Sequence, residues 1–187
     1  MDTDVLLRGQ RVRLTALDKA DAAPARAWTE DAGYLRLLDS APALPRNLEQ
    51  VTRDLERAAS GRSDITFAIR PLDGDELLGI AALSEIEWNN QLAWLSIGIG
   101  DQANRGKGYG REAMTLLIDF AFRELNLRRL QLTVFSYNTP AIALYEKLGF
   151  HREGVMREVI LRDGQTYDMY CYGLLRREWQ NGFLRNP

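Results

Sequence analysis

Apolar and polar positions alternate over residues 12–17, with Val12 and Leu14 in phase, and predict an opening strand. Residues 19–38 favour helix but carry Pro24 and Gly33, so two short helical pieces are expected. Pro42 and Pro45 mark a loop, after which Asn47 is placed to cap a helix running to about Ala59. Residues 65–70 and 76–88 read as a hairpin across Asp73-Gly74, and Asn89-Asn90 turns the chain into a strand over 92–99. Over 111–125, Ala113, Leu116, Leu117, Phe120 and Ala121 recur at helical spacing, one face made for a core. A strand at 130–134 follows. Thr139 then caps a helix that has Pro140 in its first position and Gly149 at its end. Strands at about 155–161 and 167–175 meet at Asp163-Gly164. This order predicts one α/β (α+β) domain, a mixed sheet with helices packed on it, over about residues 8–177, with 178–187 as a C-terminal extension.

Composition narrows the functional classes. Apolar residues make up 45% and charged residues 27% of 187 residues, a balance that suits one folded domain with a real core. Lys and Arg total 24 against 26 Asp and Glu, which argues against nucleic acid as the main partner. No apolar run is long enough to span a bilayer, and Met1-Asp2-Thr3-Asp4 lacks a secretory signal's basic start, so neither membrane nor export is expected and the cytoplasm is the expected compartment. Cys171 is the single cysteine and His151 the single histidine, so a disulfide, a metal cluster and a histidine-based triad are not expected. Cys171 reads as a buried small hydrophobe.

The candidate chemistry lies in Arg105-Gly106-Lys107-Gly108-Tyr109-Gly110-Arg111, between the strand over 92–99 and the helix that follows. Glycines there allow close backbone approach and positive φ. Free N–H groups at the helix start, with Arg105, Lys107 and Arg111 around them, form a socket for phosphate. A mononucleotide P-loop would need Ser or Thr after Gly-Lys, but Gly108 follows Lys107. A dinucleotide fingerprint would need G-x-G-x-x-G and an acidic residue some 20 positions on, where this chain offers Arg128 and Arg129. A glycine-rich turn without a ligand is the third alternative.

The chain resembles the GNAT superfamily of acyl-CoA-dependent N-acetyltransferases. The motif Q/R-x-x-G-x-G/A is matched by Arg105-x-x-Gly108-x-Gly110, and a second shared region by Asn138, Ala141 and Leu144-Tyr145-Glu146-Lys147-Leu148-Gly149-Phe150. Within the superfamily it looks most like the ribosomal-protein N-terminal (Rim-type) branch, whose ending is matched by Arg162-Asp163-Gly164 and Gly173-Leu174-Leu175. The resemblance implies a mostly antiparallel mixed sheet with helices on both faces, and acetyl-CoA as cosubstrate without a metal. It implies that backbone N–H groups from Arg105 through Gly110 hold the CoA pyrophosphate, with Arg111 beside them. The backbone of Ile97, Gly98 and Ile99 would pair with the pantetheine arm as an added strand, which needs the sheet to splay after this strand. Asn138 would contact pantetheine, or else cap the turn locally. Tyr145 would protonate the departing thiolate, free phenol and thiol pKa values of about 10 and 8.5 being close; packing between helix and sheet is the alternative.

One departure from the family pattern bears on the substrate. Many relatives carry Ala-Glu-Leu-Gly before the phosphate loop, whereas this chain reads Ala93-Trp94-Leu95-Ser96. Indole cannot take a proton from the amine, which leaves Glu85, Glu87 and Asp101 as nearby carboxylates. A site without a dedicated base suits an α-amine, with a pKa near 7.8, over a lysine-type amine near 10.4. The expected acceptor is therefore a peptide N-terminus or an amino-acid-like amine, attacked directly in a ternary complex, with Trp94 and Trp88 as candidate walls. A CoA-binding sensor or assembly module with weak catalysis is the alternative. Trp179, Phe183 and Leu184 suggest packing against something further, a homodimer being one expectation.

Overall fold

The computed structural model describes residues 6–61 and 64–183. Seven strands form one sheet in the order β1-β2-β3-β4-β5-β7-β6. They are β1 Val12–Thr15, β2 Ile65–Pro71, β3 Gly79–Glu87, β4 Leu92–Ile99, β5 Arg129–Phe135, β6 His151–Arg162 and β7 Gln165–Leu175. Neighbours pair antiparallel except β4 and β5, which are parallel. The helices are α1 Ala22–Trp28, α2 Ala32–Leu38, α3 Leu48–Ser60, α4 Tyr109–Arg123, α5 Thr139–Lys147 and α6 Arg176–Phe183.

The main core lies between one face of the sheet and α4 with α5. Ala93 and Leu95 of β4, Leu130 and Leu132 of β5, and Tyr172 and Leu174 of β7 meet Ala113, Leu117 and Ala121 there. This is the apolar face that helical spacing predicted over 111–125. A smaller cluster on the opposite face joins Ala22 and Ala25 of α1, Val51 of α3 and Ala68 of β2. The buried ion pair Arg70–Asp21, at 2.8 Å, ties β2 to the 3-10 turn before α1, and Arg70 also donates to Thr15 Oγ1. Helices thus cover both faces, and Tyr34 and Leu38 of α2 pack against Gly98 on the far face of β4.

Several boundaries differ from the sequence reading for local reasons. Pro24 does not break the first helix, because it sits in the opening turn of α1, where a missing N–H costs nothing. The interruption falls instead at residues 29–31, where Asp31 caps α2 by accepting from the Tyr34 amide, and Gly33 lies within α2. Residues 76–78 lie outside β3, which starts at Gly79. Asn47 and Gln50 close a reciprocal capping box on α3. Asn138, not Thr139, caps α5, its Oδ1 accepting from the Ala141 amide at 3.3 Å. Cys171 is half-buried rather than enclosed. Trp179 packs into the chain's own main core and donates to Asp119 at 2.9 Å, so it is held intramolecularly. Leu184 and the side chain of Phe183 lie outside the described residues.

Candidate active site

The site begins where β4 and β5 part. Their parallel pairing covers only Leu92, Ala93 and Trp94 against Arg129, Leu130 and Gln131. Peptide groups along a strand face its two neighbours alternately, and two bonds fix the phase here. The Gln91 carbonyl accepts from the Arg128 amide on the β5 side, and the Gly100 amide donates to Leu78 on the β3 side. Leu95, Ile97 and Ile99 therefore turn their N–H and C=O groups into the opening beyond Trp94, where β5 no longer meets them. This is the splay that an added extended ligand requires. Gly98, in the same alternation, faces Ile80 of β3 with its peptide groups. Its contribution is the missing side chain: a Cβ there would stand 2.6 Å from the Tyr34 hydroxyl.

The loop after β4 is the candidate anion socket. Gly108 has φ 87 and immediately precedes α4, whose first bond runs from the Glu112 amide to the Gly108 carbonyl at 3.1 Å. The amides of Gly108, Tyr109, Gly110 and Arg111 therefore have no acceptor inside the helix. Gly106 is also at positive φ, and Lys107 and Arg111 are exposed cations beside these amides. Of the amides that the sequence reading grouped from Arg105 through Gly110, that of Arg105 donates to the Gln102 carbonyl. Nor does the Arg105 side chain face the socket. It turns back to donate to the carbonyls of Ile99 and Gly100, pairs with Asp31 at 3.3 Å, and lies 5.2 Å over the Tyr34 ring. Arg105 shapes the turn out of β4.

Tyr145 of α5 is 7% exposed within the main core, edge-on to Phe150 at 6.0 Å. Burial pushes its phenol up to about 12, so it stays protonated as an acid must, but it is a weaker acid than a free phenol. Besides capping α5, the Asn138 side chain donates to the Leu37 carbonyl of α2 at 3.4 Å. The alternative carboxylates are exposed and engaged locally. Glu87 accepts from Asn90, Asp101 caps the 3-10 turn at 102–104, and Glu85 sits in a β3 bulge at φ 49. Trp88 is exposed at the end of β3.

Trp94 and Ser96 alternate with the core residues of β4 and so lie on the far face, and Gln131 and Thr133 do the same on β5. Trp94 and Gln131 are register partners at the point of divergence. Ser96, Gln131 and Thr133 were not singled out from the sequence, although the alternation over Arg129–Phe135 carried the signal.

The mouth on this side is strapped together. Arg36 of α2 makes a two-pronged bond to Asp163 of the β6–β7 turn at 2.7 and 2.9 Å. Arg162 donates to the carbonyls of Asp39, Ser40 and Ala41, and the Tyr137 hydroxyl donates to Arg36 O. Arg36 holds the Asp163 carboxyl below its ordinary value, as the Tyr34 amide and Arg105 do for Asp31. Asp39 accepts from the Ala41 amide. Around these groups lie exposed Leu37, Leu38 and Leu161, and the ring of Tyr167 edge-on to Tyr137. No cluster of metal-ligating side chains occurs among the described residues, nor is any described helix long and apolar enough to cross a membrane.

Comparison with known proteins agrees with this geometry. Residues 14–171 match the model of the acetyltransferase (GNAT) domain. The chain is 29% identical over 174 residues to "Uncharacterized N-acetyltransferase p20" of Bacillus licheniformis, covering 91% of this chain and 96% of that protein. It is 31% identical over 105 residues to the spermidine N(1)-acetyltransferase of Vibrio cholerae, 56% of this chain and 60% of that one. The crystal structure of spermidine N-acetyltransferase from Vibrio cholerae in complex with CoA and spermine superposes with a TM-score of 0.81 at 22% identity, covering 91% of this chain and 98% of that chain. An opened parallel strand pair, a socket of free amides and a family match over most of the chain converge on one assignment: the protein is a member of the GNAT family and an acetyl-CoA-dependent N-acetyltransferase.

Proposed function

We propose that the acceptor is an α-amine, at a peptide N-terminus or on an amino-acid-like molecule, and that the enzyme is of the Rim type. The carrying observation is the state of the carboxylates in the mouth. Asp31 and Asp163 are each paired with an arginine, Asp39 is turned onto a backbone amide, and the rim beside them is leucine and tyrosine. A polyamine is a chain of cations and needs open carboxylates along its length, whereas a peptide start brings one amine and an uncharged backbone. The chain's likeness to a spermidine acetyltransferase is one of fold and partial sequence, and does not carry that protein's substrate here.

The residues support direct attack. Bound acetyl-CoA supplies the activated acetyl thioester. The free amides at 108–111 suit its diphosphate, and the peptide groups of Ile97, with the amide of Ile99, suit its pantetheine arm; the Ile99 carbonyl is held by Arg105. Trp94 and Gln131 meet at the divergence, and Tyr145 of α5 is the hydrogen-bond donor assigned to the leaving sulfur. With Trp94 in place of a base, the amine must arrive neutral. An α-amine does so more readily than a lysine-type amine by a factor on the order of 10² near pH 7.

Steady-state kcat/KM should be compared, with product mass spectrometry, for a free-N-terminus peptide lacking lysine, the same peptide N-blocked with one lysine, and spermidine. The free α-amine should lead by about tenfold or more. Leadership by spermidine or the lysine peptide would overturn the assignment.

A further inference from the structure

We infer that the turn before β1 holds the phosphate loop in shape, with Arg11 and Glu112 as positioning residues that set the affinity for CoA. The inference rests on the reading that the free amides at 108–111 seat the CoA diphosphate. Gly106 and Gly108 are both at positive φ, and residues 106–108 are exposed. So glycine-rich a segment loses much conformational freedom on binding unless something outside it fixes its shape beforehand.

Glu112, in the first turn of α4, is one end of such a brace. Its Oε1 accepts from three successive amides, those of Gln10, of Arg11 at 2.8 Å and of Val12 at 3.4 Å. Gly9 leaves room for this, since a Cβ there would overlap the Glu112 carboxylate. The turn is also tied to its surroundings. The Gly9 amide donates to the Val12 carbonyl at 2.9 Å, and the Leu72 amide to the Arg11 carbonyl at 2.8 Å.

Arg11 is the other end. Its Nη1 donates to the Lys107 carbonyl at 2.9 Å. That carbonyl shares a peptide unit with the Gly108 N–H, and the two groups of a trans peptide point in opposite directions. Holding the Lys107 oxygen therefore aims the first free amide of the socket the other way. Glu112 anchors the turn, the turn anchors Arg11, and Arg11 sets the peptide plane before α4.

Charge alone predicts the opposite effect for one of the pair. A carboxylate in the first turn of α4 should repel a diphosphate seated on that turn, so its removal should strengthen binding unless it acts as an anchor.

CoA affinity should be measured by titration calorimetry, and turnover with acetyl-CoA and with acetyl-pantetheine, a thioester lacking the diphosphate. Arg11→Ala and Glu112→Ala should each raise the CoA dissociation constant about tenfold, with kcat at saturating acetyl-CoA within about twofold of wild type. Their kcat/KM for acetyl-pantetheine should not change. Glu112→Gln keeps an oxygen for the three amides and should bind CoA at least as tightly as wild type. Tighter binding by Glu112→Ala would overturn the inference, as would wild-type binding by Arg11→Ala or an equal loss on acetyl-pantetheine. Gly108→Ala separates the two levels of the argument. If it weakens CoA binding and Arg11→Ala does not, the diphosphate seat stands and the brace falls; if neither does, the seat itself lies elsewhere. Should Glu112→Ala not fold, the exposed Arg11 and the Gln variant decide.

Discussion

At the scale of the residue, Tyr145 carries the sharpest chemical consequence. A phenol raised to about 12 by burial lies roughly 3.5 units above a free thiol, so complete proton transfer to a departing thiolate would be uphill by about 5 kcal/mol. In the role proposed for it, the side chain donates a hydrogen bond as charge builds on sulfur. General-acid contributions run from roughly 10² to 10⁴, and a weak acid belongs at the lower end. Tyr145→Phe should therefore lower kcat about 10²-fold while the affinity for acetyl-CoA, measured calorimetrically, changes little. The ring stays, so Phe150 and the core keep their contacts. An unchanged kcat would leave Tyr145 a packing residue. Arg105 shows what a motif cannot reveal. Its position matches the family pattern, yet its guanidinium is used on Ile99, Gly100 and Asp31, and only the folded chain shows which way a long side chain turns.

Between elements, the turn from β4 into α4 depends on one backbone conformation. Gly108 at φ 87 aims the first amides of α4 outward, and a Cβ there would stand 2.9 Å from Arg11 Nη1, which itself holds the Lys107 carbonyl. Left-handed backbone costs an L-residue roughly 1–2 kcal/mol. Gly108→Ala should raise the dissociation constant for CoA about tenfold, with a smaller effect on kcat; titration calorimetry with CoA reads this, and wild-type affinity would remove the 108–111 amides as the diphosphate seat. This element was legible because glycines, cationic residues and the start of an amphipathic helix are neighbours in sequence. The capping box of Asn47 and Gln50 was legible for the same reason, and so was β4, predicted over 92–99 and found there. The cap of α5 was misplaced by one residue because Asn138 and Thr139 both bond readily to a nearby amide, and only the backbone geometry selects Asn138. The strap at the mouth was not legible. Arg36 and Asp163 are 127 residues apart, and nothing local to either announces the other. The exact extent of the β4–β5 opening was hidden likewise, since it depends on where two distant strands cease to pair.

Across the whole molecule, two buried phenols tie stability to alkaline pH. Burial raises Tyr145 to about 12, and it raises Tyr34 to about 12 against the opposing pull of Arg105. In the unfolded chain both titrate near 10. The folded state thus keeps two protons that the unfolded state releases, and the free energy of unfolding falls as pH rises above about 10, where the unfolded chain binds fewer protons. Below that value both states hold the protons and neither tyrosine contributes a slope. Urea unfolding at pH 8, 9, 10 and 11 should therefore show little change from pH 8 to 9 and a decline beyond 10. The double variant Tyr34→Phe/Tyr145→Phe removes both hydroxyls while keeping both rings, and its decline above pH 10 should be the shallower. Tyr34 packs against Gly98 from α2 and Tyr145 lies in the main core from α5, so the slope reports how firmly each hydroxyl is closed off from water. Equal slopes in the wild type and the double variant would mean that water reaches both hydroxyls. The acid assigned to the leaving sulfur would then be an ordinary solvated phenol, and the loss on Tyr145→Phe should move toward the upper end of the general-acid range.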